Sequence, residues 1–423
     1  MKIGIAGPIS TESVATVLGD ATPSLKGAGG APLLGTLIRI LLERGHSVSA
    51  YTMDSSLRID ELVPRVASAG RFRIYYVPVR RRAFQYEDGH FGRMSDFFRM
   101  ERKWLVRVMR DDQPNIVHAH WTYEFALAAI QSGLPYLVTA HDSPWHVARY
   151  MPSIYRICRY LLAKAVVSRA ANMTAVSPFV AGELARWRRK PIPVIANPVP
   201  RELERSGLFP RERVGGGGVS VRVMMVLNGW VRYKNPEPAL KAFALIRKEF
   251  PDVSLHAYGW GYGPGERAQQ WTSARGCAEG VVFHGAVPYD RILAAMRSAD
   301  MLLHPALLES CCMTIVEAMR VGLPVIGGQS SGGVPWQLDG GKAGMLVNVT
   351  SPEEIAKAIR TLVCDASLYS ELSRSALTRA EEIFASGAVA EAYESVYQRV
   401  LRDVKGSVSN RLGTSPMPRQ GEP

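Results

Sequence analysis

Short Val- and Ile-rich runs alternate with helical patterns along this 423-residue chain, and the alternation stops at a glycine run and then restarts. Both observations predict an α/β protein of two doubly wound, Rossmann-like domains, because alternating strands and helices build parallel sheets covered on both faces. The length adds a third, since 423 residues exceed what one hydrophobic core organises. With 47% hydrophobic and 21% charged residues, the composition is that of a water-soluble globular protein.

In chain order, the strand candidates of the first half are "KIGIA", "HSVSAY", "RIYYVPV", "NIVHAH", "PYLVTAH", "NMTAVS" and "IPVIANP". Between them the spacing predicts helices over Pro32–Arg44, Phe98–Asp112, Tyr123–Gln131 and Tyr155–Arg169. Gly215–Gly218 packs no core and reads as a joint or surface loop. After it come "VRVMMVLNG", "VSLHAYG", "GVVFHG", "DMLLHP", "LPVIGG" and "GMLVNV", again separated by helices. The expected domains are residues 1–200 and 201–385, followed by a helix over 386–402 and a polar, disordered tail over 405–423. The connection from Pro8 to Gly30 is long and reads either as a lid over an acceptor or as a disordered loop.

Met1–Gly7 lacks the apolar run and small-residue cleavage site of a signal peptide, and no apolar segment reaches the roughly 20 residues of a membrane span. Five cysteines, an odd number without a C-x-x-C pair, argue for reduced thiols and against a zinc or disulfide framework. The expected compartment is the cytoplasm. The net charge of +13 is uneven: residues 1–200 hold 26 Lys+Arg against 15 Asp+Glu, the remainder 25 against 23. A basic first half is compatible with nucleic acid, an anionic membrane surface, an acidic substrate, or mere solubility.

Open parallel sheets bind ligands outside the carboxyl ends of their strands, so two facing sheets place a site in the cleft between them. "HPALLESCCMTIVEAMRVGLPVIG" carries two glutamates in such a position, Glu309 in the loop after a strand and Glu317 in the following helix. Ser310 or Thr314 can cap that helix, and Gly322 and Pro324 mark its end. A helix start offers free N–H groups and a positive dipole end to a diphosphate. Fully helical, eight residues would separate the glutamates by about 12 Å, beyond the roughly 5–9.5 Å of a glycosidase pair. They suit the two ends of one long ligand rather than the two sides of one bond. The alternative is a solvated Glu317, against which stand its neighbours Ile315, Val316, Ala318 and Met319.

This stretch resembles the E-x7-E signature of family 4 glycosyltransferases, retaining enzymes of GT-B fold with two Rossmann-like domains facing across a cleft. The likeness covers nearly the whole chain. "GAGGAPLLGTLIRILLERGHSV", "NIVHAHW", "LVTAHD", "VIANPV", "LNGWVRYKNPEPALKAF", "YGWGYGPGERAQQW" and "VVFHGAVPYDRILAAMRSADMLLHPALLES" follow in the family's order. So do "GLPVIGGQSSGGVPWQLDGGKAGMLV" and "IFASGAVAEAYESVYQRVL", the latter resembling a closing helix that returns to the first domain.

The resemblance implies a retaining transferase moving a sugar from a nucleotide donor to a hydroxyl of a saccharide or lipid-linked acceptor. It implies that Glu309 contacts donor-sugar hydroxyls and Glu317 the ribose diol, for which a carboxylate is a bidentate acceptor. Amides of Cys311, Cys312 and Met313 would face the sugar and diphosphate. Lys234 would neutralise the phosphates, and Arg232 stands nearest to the family's phosphate-site arginine, with Trp230 the other neighbour. Asn228 belongs to the same loop. Gly29 and Gly30 would let backbone approach the phosphates, and Gly285 would close the base contact. The chain departs from the family at Cys312, near a usual glycine, and at Trp336, in place of a glutamate.

Of the histidines, His120 and His141 end strands aimed at the cleft; His120 is assigned to the catalytic region and His141 to the acceptor side. His46 matches a structural position, and His90, His146 and His256 carry no pattern. The chain has no D-x-D and no metal-ligand spacing, so no metal or other cofactor is expected, and the resemblance leaves no role for nucleic acid. Arg80–Arg82, "ARWRRKP" and the aromatic and basic residues of 97–110 suit an anionic bilayer, or else an apolar core stripe with a solvated basic face. A nucleotide-sugar epimerase and a catalytically silent sugar-binding scaffold are the alternatives. A dinucleotide oxidoreductase would want G-x-G-x-x-G after the first strand, which "GIAGPISTES" lacks.

Overall fold

A computed structural model describes residues 1–60, 63–204, 211 and 220–412, so the glycine run and residues 413–423 lie outside the described residues. The chain forms two compact units.

The first unit comprises Met1–Ala140, Ile157–Thr174 and the chain from Ala390. Its strands are β1 (Lys2–Ala6), β2 (Ser47–Asp54), β3 (Arg65–Ala69), β4 (Phe72–Pro78), β5 (Ile116–His120), β6 (Tyr136–Ala140) and β7 (Met173–Ala175), in the order β3-β4-β2-β1-β5-β6-β7. β1, β2, β4, β5 and β6 pair in parallel, whereas β3 runs antiparallel to β4 at the edge. β3 has no apolar run to announce it, because its residues are exposed or half-buried throughout. "IPVIANP" forms no strand, only a single bridge from Ala175 to Val194, in a segment whose Pro191, Pro193 and Pro198 supply no N–H donors.

The four expected helices are present as Pro32–Glu43, Arg99–Asp112, Glu124–Ser132 and Ile154–Arg169. The stretch from Pro8 to Gly30 contains a helix, Thr11–Leu18, whose start is capped by the Ser10 hydroxyl accepting from the Ser13 N–H. The last helix spans Ser386–Leu412, past Lys405, where the irregular tail was expected to begin. Its Glu394 carboxylate accepts from Arg44 through Nε and Nη2, both at 2.7 Å, and lies 2.8 Å from His46 Nε2. The Arg44 bond outweighs burial and holds the Glu394 carboxyl at about 2. Tyr397 Oη lies 2.7 Å from His118 Nδ1. His46 and His118 are thus structural, and they seat the last helix on the first unit.

The second unit comprises His141–Arg156 and Ala175–Val389. Residues 141–156 and 175–200, which a boundary at residue 200 places in the first domain, therefore pack with the second. All six expected strands form: β8 (Val221–Val226), β9 (Val253–Tyr258), β10 (Val281–Gly285), β11 (Met301–His304), β12 (Val325–Gly328) and β13 (Met345–Val347). Their order is β10-β9-β8-β11-β12-β13, and every pair is parallel. Alternate residues such as Val223, Met225, Leu255 and Ala257 bury one face against Phe243, Ile246, Ile355 and Ile359. This layer holds the carboxyl ends of β8 and β11 side by side, which is where the site is built.

Candidate active site

β11 ends at His304, and the loop that follows is shaped by its neighbours rather than by its own turns. The Leu307 N–H donates to the Tyr233 carbonyl at 2.7 Å, and Asn235 Nδ2 donates to the carbonyls of Pro305 and Val349 at 3.0 and 2.8 Å. These bonds pin the single helical turn Arg232–Lys234 against the loop. On the other side the Gly333 N–H donates to the Glu309 carbonyl at 2.7 Å. A Cβ on Gly332 would stand 2.4 Å from that same carbonyl oxygen, and one on Gly333 2.1 Å from the Ser310 carbonyl. The "SGG" stretch is therefore glycine because the Glu309 backbone passes directly over it.

The result is a half-buried network around one carboxylate. Lys234 Nζ donates to Glu309 Oε1 at 2.7 Å, and His304 Nε2 donates to the same oxygen at 3.1 Å. Cys312 Sγ lies 3.5 Å from His304 Nε2. Burial works against each charge, but the partners outweigh it. The Glu309 carboxyl is held at about 2 by His304 and Lys234, His304 is raised to about 10 by Cys312 and Glu309, and Lys234 is also raised, chiefly by Glu309. His304, Glu309 and Cys312 offer three metal-type ligand atoms within 4.8 Å of one another. A cation there would meet the Lys234 ammonium on the same carboxylate oxygen, so the donors present satisfy the site without an ion.

The following helix is Met313–Arg320, with Cys312 at its N-cap. Neither Ser310 nor Thr314 caps it. Instead the buried Gln337 side chain accepts from the Cys312 N–H at 2.9 Å and donates to the Cys312 carbonyl at 3.0 Å. The Cys312 amide is thus taken by Gln337. Cys311 is buried, and burial pushes its thiol up to about 12. Glu317 is 6% exposed, its Oε1 accepts from Tyr289 Oη at 2.7 Å, and burial raises its carboxyl to about 7 despite that bond. It is not a solvated surface glutamate.

The other expected site residues fall as follows. Arg232 and Asn228 are exposed, and Arg232 makes no part of the Lys234–Glu309 network. Gly285 has φ +72°, and its backbone accepts from the Gly259 N–H and donates to the Tyr262 carbonyl. His141 is buried in the second unit, where burial depresses it to about 3. In the first unit, His120 ends β5, is 1% exposed and has its ring centroid 4.0 Å from that of His118, the rings tilted by 34°. A Cβ on Gly7 would stand 3.4 Å from the His120 Cβ. Gly29 and Gly30 lie in the loop before the helix Pro32–Glu43, Gly30 with φ +112°. Sequence reasoning missed His304, Gln337 and Tyr289; only His304, at a strand end beside the glutamate motif, carried a signal that could have found it.

The expected bilayer face changes most. Arg80 has an 8% exposed side chain, donates to Glu101 and Asp96 and is not available to lipid. Leu105, Val108 and Met109 of the helix Arg99–Asp112 are buried, so its apolar stripe is core, and Arg99, Lys103, Arg107, Arg110 and Asp111 face outward.

The family model described as "Glycosyltransferase Family 4" matches residues 28–203, and that described as "Glycosyl transferases group 1" matches residues 221–379. N-acetyl-α-D-glucosaminyl L-malate synthase of Bacillus anthracis is 24% identical over 387 residues, which is 89% of this chain and 96% of that protein. D-inositol 3-phosphate glycosyltransferase of Corynebacterium jeikeium is 31% identical over 175 residues, 40% of this chain and 41% of its own length. Among solved structures, sucrose-phosphate synthase of Thermosynechococcus elongatus superposes with a TM-score of 0.68 at 18% identity, covering 95% of this chain and 100% of that one. With both matched regions lying in order along the two sheets, the chain belongs to glycosyltransferase family 4 and is a glycosyltransferase of GT-B fold.

Proposed function

We propose that the protein transfers a hexose from a nucleoside-diphosphate sugar to a hydroxyl of a saccharide or lipid-linked saccharide, with retention at the anomeric carbon. The observation that carries this reading is the pair of glutamates at one helix, the half-buried Glu309 fixed before its start and the buried Glu317 within it. Glu309 meets the sugar hydroxyls, the first turn at Met313 and Thr314 receives the diphosphate with Lys234 as its cation, and Glu317 takes the ribose diol. A carboxylate held at about 2 by two donors is a weak nucleophile, which favours front-face transfer over a glycosyl-enzyme intermediate. In that route the leaving phosphate accepts the proton of the incoming hydroxyl while position and charge do the rest. Lys234 stands where a divalent ion would otherwise serve, so the reaction proceeds without metal.

His120, Gly29 and Gly30 are assigned to donor or acceptor placement and His141 to the acceptor side. The compartment suited to five free thiols is a reducing cytoplasm. Among the described residues no helix is long and apolar enough to cross a membrane. A lipid-linked acceptor is instead met at an anionic surface. Support comes from the helix Ile154–Arg169, which carries no acidic residue, keeps Lys164 and Arg169 exposed and leaves Ile154, Ile157 and Leu161 exposed on one face.

Incubation with a panel of nucleotide sugars, with and without acceptor extracts, tests the reading. Acceptor-dependent nucleotide release, and a product whose anomeric coupling by NMR matches the donor, is the expected result. Conversion of donor alone into an isomer would replace it with an epimerase.

A further inference from the structure

His304 closes β11 with 2% exposure and touches three functional elements at once: the Glu309 carboxylate, the thiol at the helix N-cap and, through the shared oxygen, the Lys234 turn. Both donors converge on Glu309 Oε1, and among the described residues no donor reaches Oε2. We infer that His304 is a positioning residue: with Lys234 it locks the Glu309 rotamer by holding Oε1, so that Oε2 is presented to a hydroxyl of the sugar.

The geometry explains why two donors are needed. Lys234 comes from a short turn on a flexible four-carbon stem and by itself fixes distance but not direction. The His304 ring is rigid, stands at the end of a buried central strand, and approaches from β11 rather than from the turn. Cys312 Sγ, 3.5 Å from Nε2, ties the ring to the N-cap that Gln337 clamps by two hydrogen bonds. Strand end, carboxylate loop and helix start are thereby one assembly, and a displacement of about 1 Å at such a centre costs about 10²-fold in rate.

The inference rests on the reading of Glu309 as the sugar-facing carboxylate, and the experiment separates the two. Transfer kinetics and nucleotide affinity by calorimetry are measured for His304→Leu, His304→Gln and Glu309→Ala, with thermal unfolding as the check on folding. Expected is a fall in kcat of about 10²-fold for His304→Leu, with nucleoside-diphosphate affinity unchanged and partial recovery in His304→Gln, whose amide can still donate. Should His304→Leu fail to fold, His304→Gln decides by the same split, kcat lowered and affinity kept. Wild-type kcat in either folded variant, or an equal loss of kcat and nucleotide affinity, overturns the positioning role. Wild-type transfer by Glu309→Ala overturns the reading of the site itself.

Discussion

Replacing Glu317 by Gln should stabilise the protein in a strongly pH-dependent way. The carboxyl is buried, has the Tyr289 hydroxyl as its hydrogen-bond donor, and is raised from 4.5 to about 7. At about 1.4 kcal/mol for each tenfold change in proton affinity, that difference costs the ionised side chain about 3 kcal/mol in the folded state. The sign follows from the direction of the shift. A carboxyl raised on folding contributes its full stability below 4.5, where both states are protonated, and loses it as pH rises through about 7. Gln carries no charge to bury, so the variant should exceed the wild type by about 3 kcal/mol at pH 8 but by under about 1 kcal/mol at pH 5. Urea unfolding of both proteins at the two pH values, followed by tryptophan fluorescence, reads the gap. Any fixed contribution from the new amide cancels between them. An equal gap at pH 5 and pH 8 would refute a buried, proton-sensitive Glu317.

Two further outcomes concern ions and lipid. With Lys234 as the phosphate cation, turnover should be unchanged in EDTA; collapse with chelator and recovery with Mg²⁺ or Mn²⁺ would remove Lys234 from that role. Sedimentation with vesicles should show binding to anionic but not zwitterionic lipid, with each basic residue near the surface contributing about 1 kcal/mol at low salt and less as salt rises. Asn at Ile154, Ile157 and Leu161 should abolish it, and a protein left in the supernatant at low salt would point to a soluble acceptor.

The strands and helices were legible where burial writes a period into the sequence. All six strands of the second sheet were legible, and β9, β10, β11 and β12 end on or directly before Gly, Pro or His. β3 escaped because an edge strand exposed on both faces has no such run, and "IPVIANP" misled because prolines can carry apolar residues without joining a ladder. In the site, Glu309 and Glu317 stood out as charges in apolar company and Lys234 through the resemblance, and the structure places Lys234 on Glu309 and buries Glu317. The groups that tune them did not. Gln337 reaches Cys312 across 25 residues and Tyr289 reaches Glu317 across 28, contacts that only the packed helices create. Basic clusters were the least readable feature, since a sequence shows that Arg80 is charged but not that Glu101 and Asp96 already hold it.

On the proposed reading, Glu309 and Glu317 grip opposite ends of one nucleotide sugar. Calorimetry of free UDP and GDP binding to Glu309→Ala and Glu317→Ala tests it most directly. Glu317→Ala should lose nucleotide affinity, whereas Glu309→Ala should bind nucleotide as the wild type does yet transfer no sugar. Equal loss of nucleotide affinity in both variants would contradict it.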